Sequence, residues 1–417
     1  MPLGIVELSF LLLLCLLLVW TMYNLPVLAK GVAVIRHQEP SAKTILQGNL
    51  PSFSIIIAAK SEEKVIGRLL DSLLKLDYPK EKTQIIIVED GSNDRTCNIC
   101  ESYAQKHPSI IEFHHRDLSE NKPAALNYGL RKANGDIIAI LDADNIPEKD
   151  LLLRAARAFE NSEAAAIQGQ TCPINLQENF LTRLEAYNQD SWFKIYLQGK
   201  TSLRLFVPLT GSCGFIKRNL LLESGGWDEK SLTEDVELAA KLAARNHRII
   251  YAPEIRSWQE NASSLHQVIK QRRRWFRGYM ETLAKYATLF TRSSRIGLDV
   301  EITLMGPMIV GICFLTNTIG IYGLISHNLQ VGWELTLIST ATGFLTLATL
   351  MVCSAGLFYQ SEKKRWRNLL WIAPLIAYWG LQMIIAFYTT LCFLLRIPQS
   401  WEKTKKTGSS DTQNQED

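Results

Sequence analysis

The stretch Ile137-Ile138-Ala139-Ile140-Leu141-Asp142-Ala143-Asp144 joins five apolar residues to a pair of acids. A short and wholly apolar run is typical of a strand buried in a parallel sheet, and Asn145 and Pro147 then end it. In open α/β sheets, ligands bind beyond the carboxyl ends of the strands. Two Asp side chains at such an end can hold a divalent cation through their oxygens. An isolated Asp-x-Asp after a strand is more often an ordinary turn.

The residues before this strand alternate between strand and helix patterns. Phe53 to Ala59 and Gln84 to Val88 predict two more buried strands. Helices are predicted from Ser61 to Leu76, with Ser61 as the N-cap, and from Ala124 to Lys132. This alternation favours an α/β fold with a mostly parallel sheet. The chain has no Gly-x-Gly-x-x-Gly and no Walker motif, so carboxylates, a metal and side chains would have to hold a nucleotide.

Three further polar residues are candidates for a binding site, and each also has an ordinary structural explanation. Asp90 follows the second strand, where it could accept a hydrogen bond from a base or a ribose, or could cap a helix. Lys122 offers a cation near a strand end, but Pro123 after it suits a simple helix start. Asp235 precedes a predicted helix, either as a capping acid or as a general base exposed to a pocket.

A basic and aromatic segment follows, from about Leu265 to Phe290, and it predicts an amphipathic helix. Its Lys, Arg, Trp and Phe content is typical of a helix that lies on a membrane surface. The same helix contains Gln271, Arg274 and Trp275. It could therefore present a guanidinium to a pyrophosphate and an indole ring to a sugar.

Four apolar segments of the 417 residues are long enough to cross a bilayer. They are Leu8 to Leu28, Ile302 to Ile325, Leu335 to Phe358, and Leu369 to Leu395. The first has no basic leader and no small-residue cleavage site, so we expect a retained anchor. The polar residues between the first and second segments show the alternation of a globular domain.

The positions of Lys and Arg predict that this globular block faces the cytosol. Lys30 and Arg36 follow the first span, Ser326 to Trp333 has no basic residue, and a basic cluster lies between Lys363 and Arg367. Basic residues flank the last segment on both sides. The C-terminal tail is therefore either outside, against the rule, or inside, with a re-entrant segment near Pro374.

The net charge of +4 gives no reason to expect a nucleic-acid partner. Four of the eight cysteines, Cys15, Cys313, Cys353 and Cys392, lie in apolar segments, where Cys behaves as a small hydrophobic residue. Cys97-x-x-Cys100 has no second pair, so it is weak support for a zinc or redox site.

Taken together, the motifs resemble those of the membrane-embedded glycosyltransferases of family 2, the group of the cellulose, hyaluronan, chitin and poly-N-acetylglucosamine synthases. The matching pieces are, in chain order, Val88-Glu89-Asp90-Gly91-Ser92, Asn121-Lys122, Asp142-Ala143-Asp144, Thr210-Gly211-Ser212-Cys213-Gly214, Thr233-Glu234-Asp235 and Gln271-x-x-Arg274-Trp275. Two departures are visible. Glu89 stands where many relatives have Asp, and Lys60 stands where they often have Asn.

The resemblance implies a GT-A fold, a nucleotide-diphosphate sugar as donor, and Mg²⁺ or Mn²⁺ held by Asp144. It also implies that Asp235 is the catalytic base. The donor-binding residues would be Asp90 at the base, Lys122 near the nucleotide, Asp142 at the nucleotide sugar, and Gln271 and Arg274 over the diphosphate. The acceptor-binding residues would be Trp275, Gly211, Ser212, Cys213 and Glu234.

We therefore expect an inverting enzyme of the cell membrane that transfers a sugar, from UDP-GlcNAc or UDP-Glc, to a growing β-linked polysaccharide. A single transfer to a membrane lipid is the alternative, and an inactive scaffold or nucleotide-sugar sensor is a third. Because four spans offer little material for a channel, a polysaccharide synthase would need an oligomer or a small membrane subunit. Membrane lipids are the remaining expected partner.

The predicted domain division follows from these segments. It comprises an N-terminal membrane helix (1–29), a cytosolic GT-A domain (30–264), an amphipathic interface region (265–299), a membrane region (300–396) and a polar tail (397–417).

Overall fold

The computed structural model describes residues 5–37, 49–117, 121–286, 295–326, 333–359, 366–399, 406 and 408. The strands are β1 (Phe53–Ala59), β2 (Thr83–Glu89), β3 (Ile111–His115), β4 (Ile137–Ile140), β5 (Ile146–Pro147), β6 (Ala166–Pro173), β7 (Gly214–Lys217) and β8 (Ile249–Gln259). The helices are α1 (Ile5–His37), α2 (Ile66–Leu73), α3 (Thr96–Lys106), α4 (Lys122–Lys132), α5 (Leu151–Glu160), α6 (Phe180–Asp190), α7 (Gln198–Ser202), α8 (Arg218–Glu223), α9 (Glu234–Ala244), α10 (Leu265–Tyr286), α11 (Arg295–Ser326), α12 (Trp333–Tyr359) and α13 (Ile372–Leu394). A π-helical segment (Ser191–Leu197) joins α6 to α7.

The eight strands of the described residues form one sheet, in the order β3-β2-β1-β4-β7-β6-β8-β5. The first four are parallel, with Phe53 opposite both Thr83 and Ile137. Strand β7 runs antiparallel to both of its neighbours, and β6 runs parallel to β8. The sheet is therefore mixed and mostly parallel, which confirms the predicted fold class.

Helices cover both faces of this sheet. Alternate residues of β1 point to opposite sides, so Ile55 packs in one apolar cluster with α2 and α5, and Ile56 packs in another with α4 and α9. Because both faces are buried, the strands read as continuous apolar runs. The arrangement fixes the carboxyl ends of β1, β2 and β4 at one edge of the sheet.

The start of α2 differs from its prediction. Ser61 is not the N-cap: its φ of 52° is in the left-handed region, and its N–H donates to Ser92 Oγ at 2.8 Å. The backbone then turns, with the N–H groups of Val65 and Ile66 both donating to Glu62 O. As a result the helix starts at Ile66, about one turn later than its apolar pattern suggests.

Four of the described helices are long and apolar enough to cross a membrane: Glu7–Arg36, Arg295–Tyr322, Thr336–Tyr359 and Trp366–Leu394. They agree with the four segments predicted from the sequence. Helix α1 packs against α11 and α12, and α11 packs against α13.

Two close contacts join the globular domain to these helices. Lys200 of α7 is fully buried, and its Nζ lies 2.9 Å from Asp299 Oδ1 of α11 and 2.6 Å from Tyr23 Oη of α1. A Cβ at Gly31 of α1 would come within 1.9 Å of the carbonyl oxygen of Ile195 in the π-helical segment, so that position needs glycine. The domain is therefore packed tightly against the apolar helices.

Candidate active site

The turn after β4 brings the two acids of the Asp-x-Asp motif to the carboxyl edge of the sheet. The Asp142 N–H donates to Ser212 Oγ at 3.1 Å, and Ser212 Oγ donates in turn to Asn145 Oδ1. The turn is thus fixed to the segment that precedes β7. The Asp142 side chain remains about one-third exposed, whereas Asp144 is buried. The two acids therefore face different surroundings.

Lys122, at the first position of α4, connects three of the predicted motifs. Its Nζ donates to Asp142 Oδ1 at 2.6 Å and to Gly211 O at 2.9 Å, and it lies 3.5 Å from Glu234 Oε1. Burial disfavours the ammonium, but Asp142 and Glu234 outweigh that effect and raise the pKa of Lys122. The lysine is therefore a fixed positive charge at the centre of the site.

Asp235 lies in the first turn of α9, where burial and the neighbouring Glu234 raise its pKa to about 7. The charges of Lys122 and Arg274 act in the opposite direction, as does the Val236 N–H, which donates to Asp235 Oδ1 at 2.8 Å. A carboxylate with a pKa near the working pH is suited to general base catalysis.

Gly211 makes room for Asp235. Its φ is +75°, and a Cβ there would lie 3.0 Å from Asp235 Oδ2. Glycine satisfies both the backbone conformation and the close approach. The predicted acceptor segment and the predicted base are thus adjacent.

The amphipathic helix α10 packs onto the residues that precede α9. Arg274 Nη1 donates to Leu232 O at 3.0 Å. The guanidinium of Arg272 pairs with Glu185 Oε2 at 2.6 Å and lies 4.5 Å from the ring centroid of Trp275. The helix thus brings Arg274 to the Thr233-Glu234-Asp235 motif, whereas Trp275 packs against Arg272. Gln271 is half-buried nearly one turn earlier.

Asp90 lies at the same edge of the sheet, two strands from β4 in the order β2-β1-β4, which corresponds to about 10 Å. It is buried, and its Oδ1 lies 3.4 Å from Arg116 Nη1. Arg116 belongs to no motif and was not predicted as a site residue. Its position directly after β3, at the carboxyl end of a strand, is the one sequence feature that points to it.

The chemistry around Asp144 suits a cation. Asp144 Oδ2 accepts the Glu260 N–H at 3.2 Å and lies 2.6 Å from Lys406 Nζ. Burial disfavours the charge of Lys406, but Asp144, Asp142 and Glu62 raise its pKa. The ammonium pairs with the carboxylate that is predicted to hold Mg²⁺ or Mn²⁺, so a positive charge fits this oxygen. Neither Glu260 nor Lys406 was among the residues predicted for the site.

The predicted acceptor residues differ in their surroundings. Cys213 is fully buried, and its thiol faces Ile255 O in the core at 3.9 Å, so any contact with an acceptor would come from its backbone. Ser212 and Glu234 are also buried, and they contact Asn145 and Lys122. Gly211 lies beside Asp235, the predicted base. The roles of all these residues in acceptor binding stay predictions.

Comparisons with known proteins identify the family of this chain. Residues 51–278 match the family described as "Glycosyltransferase like family 2". The probable glycosyltransferase YdaM of Bacillus subtilis is 31% identical over 249 residues, 59% of each chain. A beta-monoglucosyldiacylglycerol synthase of Trichormus variabilis is 30% identical over 253 residues, 60% of this chain and 53% of the relative. The poly-beta-1,6-N-acetyl-D-glucosamine synthase of Staphylococcus epidermidis is 25% identical over 77% of this chain and 78% of the relative.

The first two relatives are matched over only 59% and 53% of their own length.

Among solved structures, the mannosyltransferase PcManGT of Pyrobaculum calidifontis, in complex with GDP-Man and Mn²⁺, superposes with a TM-score of 0.61. The superposition covers 93% of this chain and 100% of the mannosyltransferase chain, at 17% sequence identity. A likeness at this identity supports the fold alone. The matched residues contain all six predicted motifs, and the chain belongs to glycosyltransferase family 2.

Proposed function

We propose that this protein is an inverting glycosyltransferase that moves a sugar from a nucleotide-diphosphate donor to an acceptor hydroxyl, with Asp235 as the catalytic base. One arrangement carries the proposal: Asp235 lies beside Gly211 and close to the charges of Lys122 and Arg274, and burial raises its pKa to about 7. The predicted acceptor segment, the base and two donor-side cations therefore converge on one place.

The reaction that this arrangement supports needs one proton acceptor. The acceptor oxygen attacks the anomeric carbon, and the bond from that carbon to the diphosphate oxygen breaks. The hydroxyl proton passes to Asp235, and the electron pair of the broken bond leaves with the nucleoside diphosphate. Attack opposite to the leaving group inverts the anomeric carbon, so an α-linked donor gives a β-linked product.

The donor would lie along the carboxyl edge of the sheet. Asp90 would contact the base, and Asp142 would face the nucleotide sugar. Arg274 would stabilise the charge that develops on the diphosphate, because its planar fork suits phosphate oxygens. Lys122 would hold Asp142 in place through their 2.6 Å contact, and Gln271 would close over the diphosphate beside Arg274.

Dependence on a divalent metal is general among GT-A enzymes, and the residues of this site suit one. Asp144 would hold Mg²⁺ or Mn²⁺ through its carboxylate, because hard cations prefer oxygen ligands. The bound ion would supply further neutralisation of the leaving diphosphate.

The acceptor is either a β-linked glycan, as in the polysaccharide synthases, or a membrane lipid, as in the glucosyldiacylglycerol synthases. The named relatives include both kinds of enzyme. One observation favours a lipid: Arg274 of the amphipathic helix α10 contacts Leu232 O, three residues before the base. If α10 lies on the bilayer, the base is close to the lipid headgroups. A glycan acceptor would need a channel, and hence an oligomer or a small membrane subunit.

We also propose that the globular domain and the C-terminal tail lie on the same side of the membrane, the cytosolic side. The contact of Lys406 with Asp144 supports this arrangement. So does α13, because Arg273 and Arg277 of the basic helix α10 lie over the rings of Tyr388 and Phe393 near its end. Helix α13 would then lie along the interface or re-enter it. Access of an antibody to a tag added after Asp417, in intact and in permeabilised cells, tests the side of the tail.

Two measurements test the reaction. Asp235→Asn should abolish sugar transfer while binding of UDP to the full-length protein in detergent is retained. Asp136→Asn, at the opposite end of β4, is the matched control and should leave transfer unchanged. Equal loss of UDP binding in Asp235→Asn would assign Asp235 to the nucleotide pocket and contradict its role as the base.

A screen of labelled nucleotide sugars with Mg²⁺ or Mn²⁺, followed by sizing of the product, identifies the sugar and the acceptor. A polymer would stay at the top of a gel, whereas a glycolipid would extract into organic solvent. Absence of transfer with every donor, despite nucleotide binding, would favour a sensor.

A further inference from the structure

Three side chains of different chemistry meet at the ends of β2 and β3, next to Asp90 and two strands away from the strand that carries Asp142 and Asp144. They are Glu89, the fully buried last residue of β2; Cys97, in the first turn of α3; and His115, the last residue of β3. One potential ligand atom from each lies within 4.8 Å of the other two. His115 Nδ1 is 2.5 Å from Glu89 Oε2 and 3.9 Å from Cys97 Sγ.

We propose that Glu89, Cys97 and His115 bind a zinc ion, at a site separate from the divalent-cation site at Asp144. Zinc takes thiolate, imidazole and carboxylate ligands together, and a thiolate disfavours Mg²⁺. Three protein ligands would leave a fourth position for water. The proposal does not depend on the transfer reaction.

The spacing of the three atoms is close to what a tetrahedral ion needs. Bonds of about 2.0 Å to nitrogen and oxygen and about 2.3 Å to sulfur separate the ligand atoms by about 3.3 to 3.6 Å. The observed distances of 2.5 and 3.9 Å lie on either side of that range, and each is within about 1 Å of it. On binding, the thiol proton and the proton between His115 and Glu89 would pass to solvent.

Groups around the cluster already orient two of its members as metal ligands. Glu89 Oε1 accepts the Ser92 N–H at 2.6 Å, which leaves Oε2 to face His115. His115 Nε2 lies 3.2 Å from Asp117 Oδ1, so Nδ1 is the nitrogen that points into the cluster. A carboxylate on the outer nitrogen of a ligating histidine is a recurrent support of zinc sites.

The second cysteine of the Cys97-x-x-Cys100 motif is not part of this site. Cys100 is fully buried and packs with Ile87 and Leu70 in the core. The motif therefore supplies one ligand, and strands β2 and β3 supply the other two. Because Ser92 binds Glu89, an ion here would also stiffen the turn that carries Asp90.

Titration of the full-length, metal-stripped protein with Co²⁺, a coloured substitute for zinc, tests the proposal. We expect one equivalent to produce a thiolate-to-cobalt charge-transfer band, and we expect Zn²⁺, but not excess Mg²⁺, to remove it. Cys97→Ser should abolish the band, and His115→Gln should weaken Co²⁺ binding at least tenfold. Cys100→Ala and His114→Gln, which change the neighbouring cysteine and histidine, should keep the band.

Thermal unfolding of each variant shows that it is folded before its band is measured. No band in the wild-type protein, or a band that survives Cys97→Ser, would overturn the proposal. Equal loss of the band in Cys100→Ala would overturn this choice of ligands. Asp144→Asn should leave the band intact, and its loss there would mean that the ion binds at Asp144.

Discussion

Gly278 of α10 faces Thr233, the residue before α9, so closely that a Cβ at position 278 would lie 2.2 Å from Thr233 Oγ1. The amphipathic helix and the start of the helix that carries Asp235 are therefore in direct contact. Any displacement of α10 would also move the surroundings of Asp235, the proposed base.

Gly278→Ala should lower the rate of transfer and destabilise the protein, because the added methyl group would push α10 away from Thr233. Overpacking of this kind costs about 1–3 kcal/mol. Transfer assays and thermal unfolding in detergent measure the two effects. Gly380→Ala in α13 is the control, since a Cβ there meets no atom within 4 Å and alanine favours helix. A fully active Gly278→Ala would show that the contact does not matter to the base.

The activity should rise with pH through about 7, because Asp235 accepts a proton only when it is ionised and its pKa is about 7. Below that pH, kcat/KM should fall about tenfold per pH unit. A profile of kcat/KM between about pH 5 and 9 measures this fall on the acidic side. A flat profile across neutrality would contradict the assignment of Asp235 as the base.

The same shift predicts how Asp235 affects stability. Its folded-state pKa lies above the ordinary value of 3.8. The contribution of this group to the free energy of unfolding therefore falls as the pH rises from about 4 to 7, and it does not change further above pH 7. Asp235→Asn should therefore raise the Tm at pH 8 and change it little at pH 4. Thermal unfolding of both proteins at the two pH values is the measurement, and an equal change at both would contradict it.

Lys406→Ala should tighten binding of Mn²⁺ several-fold, because the ammonium pairs with Asp144, the carboxylate that we propose as the metal ligand. Mn²⁺ binding followed by electron paramagnetic resonance gives the affinity without any turnover. Lys132→Ala, far from the site, is a control for loss of one positive charge. Equal affinities in Lys406→Ala and the wild-type protein would show that the lysine does not compete with the ion.

Lys200→Met should strongly destabilise the whole protein, because it leaves the Asp299 carboxylate buried without its ion pair. Loss of one partner of a buried pair costs about 3–5 kcal/mol. Lys200→Met with Asp299→Leu should recover much of the loss, since both charges are then absent. Thermal aggregation in detergent compares the three proteins, and a stable single variant would show that the pair contributes little.

The sequence predicted those parts of the fold and site that depend on local pattern. The run from Ile137 to Leu141 is buried on both faces, so its apolar residues were sufficient to identify β4. The motif residues Lys122, Asp142 and Asp235 could be singled out because each stands at a strand end or helix start. Their convergence agrees with the resemblance, and their individual roles and the predicted domain boundaries stay predictions.

Other parts could not be predicted, because they depend on contacts between distant residues. Asp144, Glu260 and Lys406 meet only in the folded chain, and no local pattern links them. Cys97 could be paired in the sequence only with Cys100, whereas the fold brings it to His115. The left-handed backbone of Ser61 depends on Ser92, and it delayed the start of a helix whose apolar periodicity was otherwise correct.

The contact between Gly31 and the carbonyl of Ile195 has a further consequence for the substrate. With its domain seated so tightly on the apolar helices, the enzyme would keep its reaction centre at one fixed height above the bilayer. Acceptors would then be selected by how far their reactive hydroxyl projects from the membrane, as well as by their chemical identity.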